Sequence, residues 1–229
     1  MAELLLDAGS SALKALRVEH VVAGEPEVFG YADTQALGAG LRDCSRPERI
    51  IGVCVAAHEH RRLIEQQCRA RWGMDVEWLQ TAPAACGVSN GYLDPGELGA
   101  DRWAAMLGAR AQTDNGFCVA DCGTAMTLDA VTAGGRHIGG WIVPGLELAT
   151  GAMRARWPRL FTGAVDTTPV VDWPASTAEA LASGYPQAQA GTLERFHRLA
   201  REHVGETMEV ILTGAAAATL AGLLAVPAR

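Results

Sequence analysis

Three acidic residues stand where chemistry is possible. Asp7, in "LLLDAGSSALKAL", and Asp121, in "VADCGTAMTLDAV", each follow an apolar run and each open the pattern Asp, any residue, Gly, hydroxyl residue. They lie 114 positions apart, half of the 229-residue length, so the second half repeats a device of the first. In such a turn the glycine lets backbone N–H groups approach a phosphate with no Cβ in the way. The hydroxyl adds a donor, and the carboxylate holds a cation that offsets phosphate charge. Ala8, Gly9, Ser10 and Ser11 form the first candidate turn, and Gly123 and Thr124 belong to the second. Two such turns facing each other would grip a nucleotide polyphosphate from both sides. A tight Asp-x-Gly turn without a ligand is the plainer reading of either copy alone, and the repetition is what favours phosphate. Lys14 is either placed to reach a terminal phosphate from the returning segment or is a surface lysine.

The third acid is Asp101, in "LGADRWAAML". Leu98, Trp103, Met106 and Leu107 form an apolar stripe at helical spacing, which puts Asp101 and Arg102 near a first turn. There a carboxylate stabilises the helix terminus by roughly 0.5–2 kcal/mol. It is equally suited to accept a proton. Arg102 offers a planar fork for a carboxylate, or is an exposed helix arginine. Tyr92, after "NG", lines a pocket or is a turn aromatic. Thr177 follows Ser176 in "STAE", a capping box.

The elements that must position these residues alternate. Strands are predicted at Glu3–Leu6, Arg17–Ala23, Arg49–Ala56, Val76–Leu79, Phe117–Ala120, Leu128–Thr132, Ile138–Ile142 and Glu209–Leu212. Helical spacing is carried by 34–44, 59–72, 98–112, 145–157, 176–203 and 215–225, and the Pro-, Thr- and Asp-rich stretch 159–175 reads as a long ordered loop. The alternation predicts an α/β chain of two similar lobes, mixed sheets flanked by helices, divided near "QTDNG" into 1–114 and 115–229.

Hydrophobic content of 49% gives ample core for either one large domain or two small ones. A formal charge of −7 without a basic run makes nucleic acid a poor partner. The N-terminal "MAELLLDAG" has no basic n-region and its apolar run stops at Asp7, so neither a signal peptide nor a membrane span is expected, and the cytoplasm is the default location. Six cysteines lack a Cys-x-x-Cys pair, which argues against zinc and for reduced, packed thiols, including the close pair Cys118 and Cys122. His58 and His60 read as a solvated strand end rather than metal ligands.

The paired phosphate turn resembles that of the actin, hexokinase and Hsp70-like ATPases, whose two lobes are of ribonuclease H-like type. More narrowly, "DAGSSALK", "NGYLDPGELGADRW", "VADCGTAMTLD" and "HIGGWIVPGLEL" together are similar to the motifs of the type III pantothenate kinases. Ser10 stands where that family usually has Asn. "LTGAAAATL" replaces its Gly-Gly-Asp, and its closing strand and helix have no counterpart before Arg229. The resemblance implies ATP with Mg²⁺ as phosphoryl donor, pantothenate as acceptor and Asp101 as the base. It implies Asp7, Ala8, Gly9, Ser10, Ser11, Lys14, Gly123 and Thr124 against the nucleotide, with Asp121 on a monovalent cation, potassium or ammonium. Tyr92, Gly99, Ala100 and Arg102 would contact substrate, and Thr177 would reach substrate bound to the other subunit of a homodimer. A sugar or acetate kinase of the same superfamily is a second reading. A third is a catalytically weakened homologue acting as a ligand-binding regulator of transcription.

Overall fold

The computed structural model describes residues 2–19, 22–23, 26–31, 46–161 and 169–229. The chain divides into two compact units, Met1–Ala82 with Asp94–Ala104, and Pro83–Leu93 with Ala105–Arg229. The predicted helix at 34–44 lies outside the described residues.

In the first unit, β1 (Ala2–Ala8) runs antiparallel to β2 (Ala12–Glu19) and parallel to β5 (Arg49–Cys54). Strands β3 (Val22–Ala23) and β4 (Glu27–Gly30) pair with β2, and β6 (Glu77–Trp78) pairs parallel with β5. The order is β3-β2-β1-β5-β6. Alternation decides the faces: Leu4, Leu6 and Ala8 point into the core, so Asp7 points out of that row. The core is closed by α1 (His58–Trp72), whose Ile64, Cys68 and Trp72 recur every fourth residue and pack with Leu13 and Ile50. Each fully buried aliphatic side chain here contributes about 1.5–3 kcal/mol. Gly73 ends the helix at φ 66°, a left-handed cap.

In the second unit, β9 (Gly116–Cys122), β10 (Ala125–Val131) and β11 (His137–Pro144) form an antiparallel meander, and β12 (Met208–Thr213) lies parallel to β9, giving the order β11-β10-β9-β12. Each unit therefore has the same kernel, an antiparallel hairpin with an acidic, glycine-containing turn and a parallel strand beside its first arm. This is the mixed-sheet α/β fold that the repeated turn implies. A short hairpin, β7 (Ala84–Ala85) with β8 (Val88–Ser89), precedes α2 (Ala100–Arg110). Beyond the meander come α3 (Leu146–Arg156), α4 (Thr177–Val204) and α5 (Ala217–Ala221). Leu193, Phe196 and Ala200 of α4 cover Cys118, Ala120, Cys122, Met126, Leu128 and Ala130. The intervening Asp121 and Asp129 thus face away from α4.

The structure redraws some boundaries. β2 begins at Ala12, ahead of the predicted Arg17, because "ALKAL" pairs along the whole of β1. β4, in "EVFG", was not predicted. The 159–175 stretch opens with a 3₁₀ turn, Pro158–Phe161. Among the described residues no helix is long and apolar enough to cross a membrane.

Candidate active site

The first turn closes tightly, with Gly9 N–H donating to the Ala12 carbonyl at 3.1 Å. Ser10 and Ser11 are exposed at its tip. Lys14 sits directly opposite Asp7 in the β1–β2 register, and its Nζ is 3.0 Å from Asp7 Oδ2. Both side chains keep about two fifths of their surface open, 42% and 40%, so the pair is displaceable rather than a buried lock. The turn is held from beneath by a residue the sequence reading missed. Tyr31 donates its hydroxyl to the Gly9 carbonyl at 2.8 Å and stacks on His60 with ring centroids 4.0 Å apart. Burial, with the charges of Cys54 and Asp7 adding, pushes the Tyr31 phenol up to about 12, so it keeps the proton it donates.

The second turn is built on the same plan: Gly123 N–H donates to the Ala125 carbonyl at 3.1 Å. Two further glycines press against it. A Cβ on Gly145 would stand 2.1 Å from the Gly123 carbonyl oxygen and 2.5 Å from that of Thr124. A Cβ on Gly214, which has φ +89°, would stand 2.5 Å from Asp121 Oδ1 and 2.7 Å from the Cys122 backbone. Glycine is therefore required at both positions by close approach, and at Gly214 by conformation as well. Thr124 is exposed at the turn.

Asp101 and Arg102 lie in the first turn of α2, where the apolar stripe placed them. Asp101 Oδ1 accepts the Arg102 backbone N–H at 2.8 Å, satisfying one of the terminal donors of the helix. Among the described residues Oδ2 takes no hydrogen bond. A Cβ on Gly99 would stand 2.6 Å from Oδ1, so the bare backbone at 99 is what leaves the carboxylate its place. Arg102 is 4% exposed, which excludes the exposed helix arginine. Ala100 opens the helix, half-buried.

Tyr92 belongs to the second unit, stacked on His137 at 5.8 Å between centroids. Thr177 is exposed as the first residue of α4. Its neighbour Ser176 accepts the Glu179 N–H at 3.2 Å, while Glu179 Oε2 accepts from Ala175 at 2.6 Å. The capping box is real, with the return bond shifted by one residue.

Among the described residues no three of His, Cys, Asp and Glu gather into a metal cage. The turns instead offer single carboxylates, Asp7 and Asp121, beside hydroxyls and backbone. An all-oxygen set of this kind suits Mg²⁺ or a monovalent cation whose shell is completed by phosphate oxygens. The described cysteines are free thiols, and burial pushes Cys118 and Cys122 up to about 12, as expected of packed thiols rather than ligands.

Comparison with known proteins gives the family. Residues 3–199 match the family model of the type III pantothenate kinases. The type III pantothenate kinase of Methylibium petroleiphilum is 37% identical, the match covering 94% of this chain and 88% of that one. Those of Halorhodospira halophila and Bordetella bronchiseptica are 38% and 36% identical, over 79% and 92% of this chain and 74% and 81% of theirs. Among solved structures, a Campylobacter jejuni protein described as a Baf family transcriptional activator superposes with a TM-score of 0.60 at 19% identity, covering 98% of this chain and 89% of that one. The activator of 2-hydroxyisocaproyl-CoA dehydratase from Clostridium difficile, solved with bound ADPNP, gives 0.52 at 11% identity over 100% and 87%. These two show the fold alone. With the Asp101 motif and both turns in place, the family match identifies the chain as a member of the type III pantothenate kinase family.

Proposed function

We propose that this kinase transfers the γ-phosphoryl group of ATP to the primary hydroxyl of pantothenate, giving 4'-phosphopantothenate, the first step of coenzyme A biosynthesis. The observation that carries the assignment of the base is the division of labour within Asp101: Oδ1 is pinned by the Arg102 N–H at 2.8 Å. Among the described residues Oδ2 takes no such bond and is the oxygen left to accept a proton. As the hydroxyl oxygen bonds to the γ-phosphorus, its proton passes to Asp101 and the bond from phosphorus to the bridging oxygen breaks, releasing ADP. Holding the acceptor in line is most of the remaining work. Arg102 is the residue for the pantothenate carboxylate, Tyr92, Gly99 and Ala100 contact the same substrate, and the two turns with Ser10, Ser11, Lys14 and Thr124 supply donors to phosphate.

Asp7 is the carboxylate that would hold the magnesium that ATP carries, and Asp121 the one that would hold potassium or ammonium; bound cations supply charge neutralisation as ADP leaves. The exposed apolar side chains Ile142, Leu148, Trp157, Leu160 and Trp173, all in the second unit, support a homodimer. In it Thr177 would reach the substrate of the partner. The cytoplasm, where ATP is made and spent, is the proposed location. The test is turnover: the protein with ATP, magnesium and pantothenate must release ADP only when pantothenate is present, and mass spectrometry must find the phosphorylated acceptor. ADP release indifferent to pantothenate would reject the substrate.

A further inference from the structure

Two deeply buried polar residues of the second unit have no part in the transfer just described. Asp129, on β10, and His137, at the start of β11, are each 1% exposed. They lie diagonally across the strand pair, Asp129 opposite Gly140 and His137 opposite Val131, with the register shift between Ala130 and Val131 in between, and His137 Nε2 lies 2.9 Å from Asp129 Oδ1. The other ring nitrogen, Nδ1, is 3.4 Å from the backbone nitrogen of Gly91. A backbone N–H only donates, so Nδ1 is the acceptor and the proton sits on Nε2, donated to the carboxylate. The ring face is covered by Tyr92, with the two planes 16° apart.

The segment that carries Tyr92 is fastened both to the same hairpin end and to its own neighbours in the chain. Ser89 N–H donates to the Gly135 carbonyl at 2.8 Å, and Asn90 N–H to that of Pro83 at 2.9 Å. Asn90 Oδ1 accepts the Tyr92 N–H at 3.0 Å. A Cβ on Gly91 would stand 2.0 Å from the His137 carbonyl oxygen, so the segment lies backbone to backbone on β11. The Gly91 amide and the Tyr92 ring thus both meet His137, and His137 is aimed by Asp129.

We infer that His137, oriented by Asp129, is a positioning residue for pantothenate: it holds the Gly91 amide and the Tyr92 ring in the arrangement that receives the substrate. This rests on the reading of Tyr92 as a pantothenate contact. Fixing one aromatic side chain before binding removes an ordering cost that otherwise weakens affinity by roughly 3–10-fold.

The experiment is calorimetric titration of pantothenate, and separately of a non-hydrolysable ATP analogue, into wild type, His137→Gln, Tyr92→Ala and the double variant. Glutamine keeps an amide donor for Asp129 but offers Tyr92 no ring to stack on. His137→Gln is expected to weaken pantothenate roughly 3–10-fold while leaving the ATP analogue within about twofold, and to add nothing in the Tyr92→Ala background. If Tyr92→Ala weakens pantothenate and His137→Gln does not, the inference fails alone. If Tyr92→Ala is silent, the pocket reading of Tyr92 fails and takes the inference with it. Equal loss of both ligands would overturn it by showing a general structural role. Because binding is measured directly, a wild type that binds pantothenate without turnover would reject the kinase reaction and still decide the role of His137. Nitrogen NMR of the wild type needs no variant: a protonated Nδ1 contradicts the inference, and a protonated Nε2 alone is what it expects.

Discussion

Replacing Gly99 by alanine separates the position of the base from the stability of the fold. The new Cβ would stand 2.6 Å from Asp101 Oδ1. The carboxylate must retreat by about 1 Å to reach an ordinary contact. It sits at the end of a side chain with free torsions, so the retreat is cheap in energy. Lengthening the 2.8 Å bond from the Arg102 N–H costs about 0.5–1.5 kcal/mol. Removing glycine from the unfolded chain returns about 0.4–1 kcal/mol. The melting temperature should therefore move by no more than about 3 °C. Turnover should not be so tolerant, because a reacting group displaced by about 1 Å loses up to roughly 100-fold. Steady-state ADP release with ATP and pantothenate both saturating is the assay, with kcat expected to fall about 10–100-fold. Gly108→Ala is the control, since nothing lies within 4 Å of its added Cβ on the same helix. A Gly99→Ala enzyme with kcat within twofold of wild type would refute the claim that the placement of Asp101 governs the reaction.

Alkaline stability follows from the buried thiols. Cys118 and Cys122 are pushed up to about 12 by burial, each raised further by a neighbouring aspartate, Asp129 and Asp121 respectively. Above the ordinary thiol range the unfolded chain gives up these protons while the fold retains them, so stability falls as pH rises toward 12, by up to about 1.4 kcal/mol per unit for each thiol. Urea titrations from pH 8 to 11 should show this, and Cys118→Ala should flatten the slope; an unchanged slope refutes it. Exchanging potassium for sodium at equal ionic strength is expected to raise the KM for ATP if Asp121 holds the larger ion, and equal kinetics in the two salts would remove that role. Light scattering is expected to find dimers for the wild type and monomers for Leu148→Asp, at a site 50% exposed on α3; a monomeric wild type with full activity rejects both the dimer and the Thr177 assignment.

The repeated turn was legible because it is local: an apolar run, an acid out of phase with it and a glycine are written within a few residues at Asp7 and again at Asp121. The α2 stripe was legible for the same reason, and it put Asp101 and Arg102 in a first turn. Lys14 was placed by counting and not by register, since nothing in "ALKAL" showed that this segment pairs along β1 and sets the lysine opposite Asp7. What the sequence hid are the supports. Tyr31 reaches Gly9 from 22 positions away and Gly91 meets His137 from 46. Gly145 and Gly214 press on the second turn from loops that only the folded sheet brings near. Asp129 did leave a signal, an acid inside the apolar run "MTLDAV". A charge in the middle of a buried strand requires a partner, and looking for one would have led to His137.

The most direct test of the account is Asp101→Asn. Asparagine can still accept the Arg102 N–H and still suits a helix terminus, but it takes no proton. The account predicts that ATP- and pantothenate-dependent ADP release falls by roughly 10²–10⁴-fold in kcat, while the KM for ATP and the melting temperature stay close to wild type. An Asp101→Asn protein that turns over like wild type would contradict it, and would show that this carboxylate serves only to cap its helix.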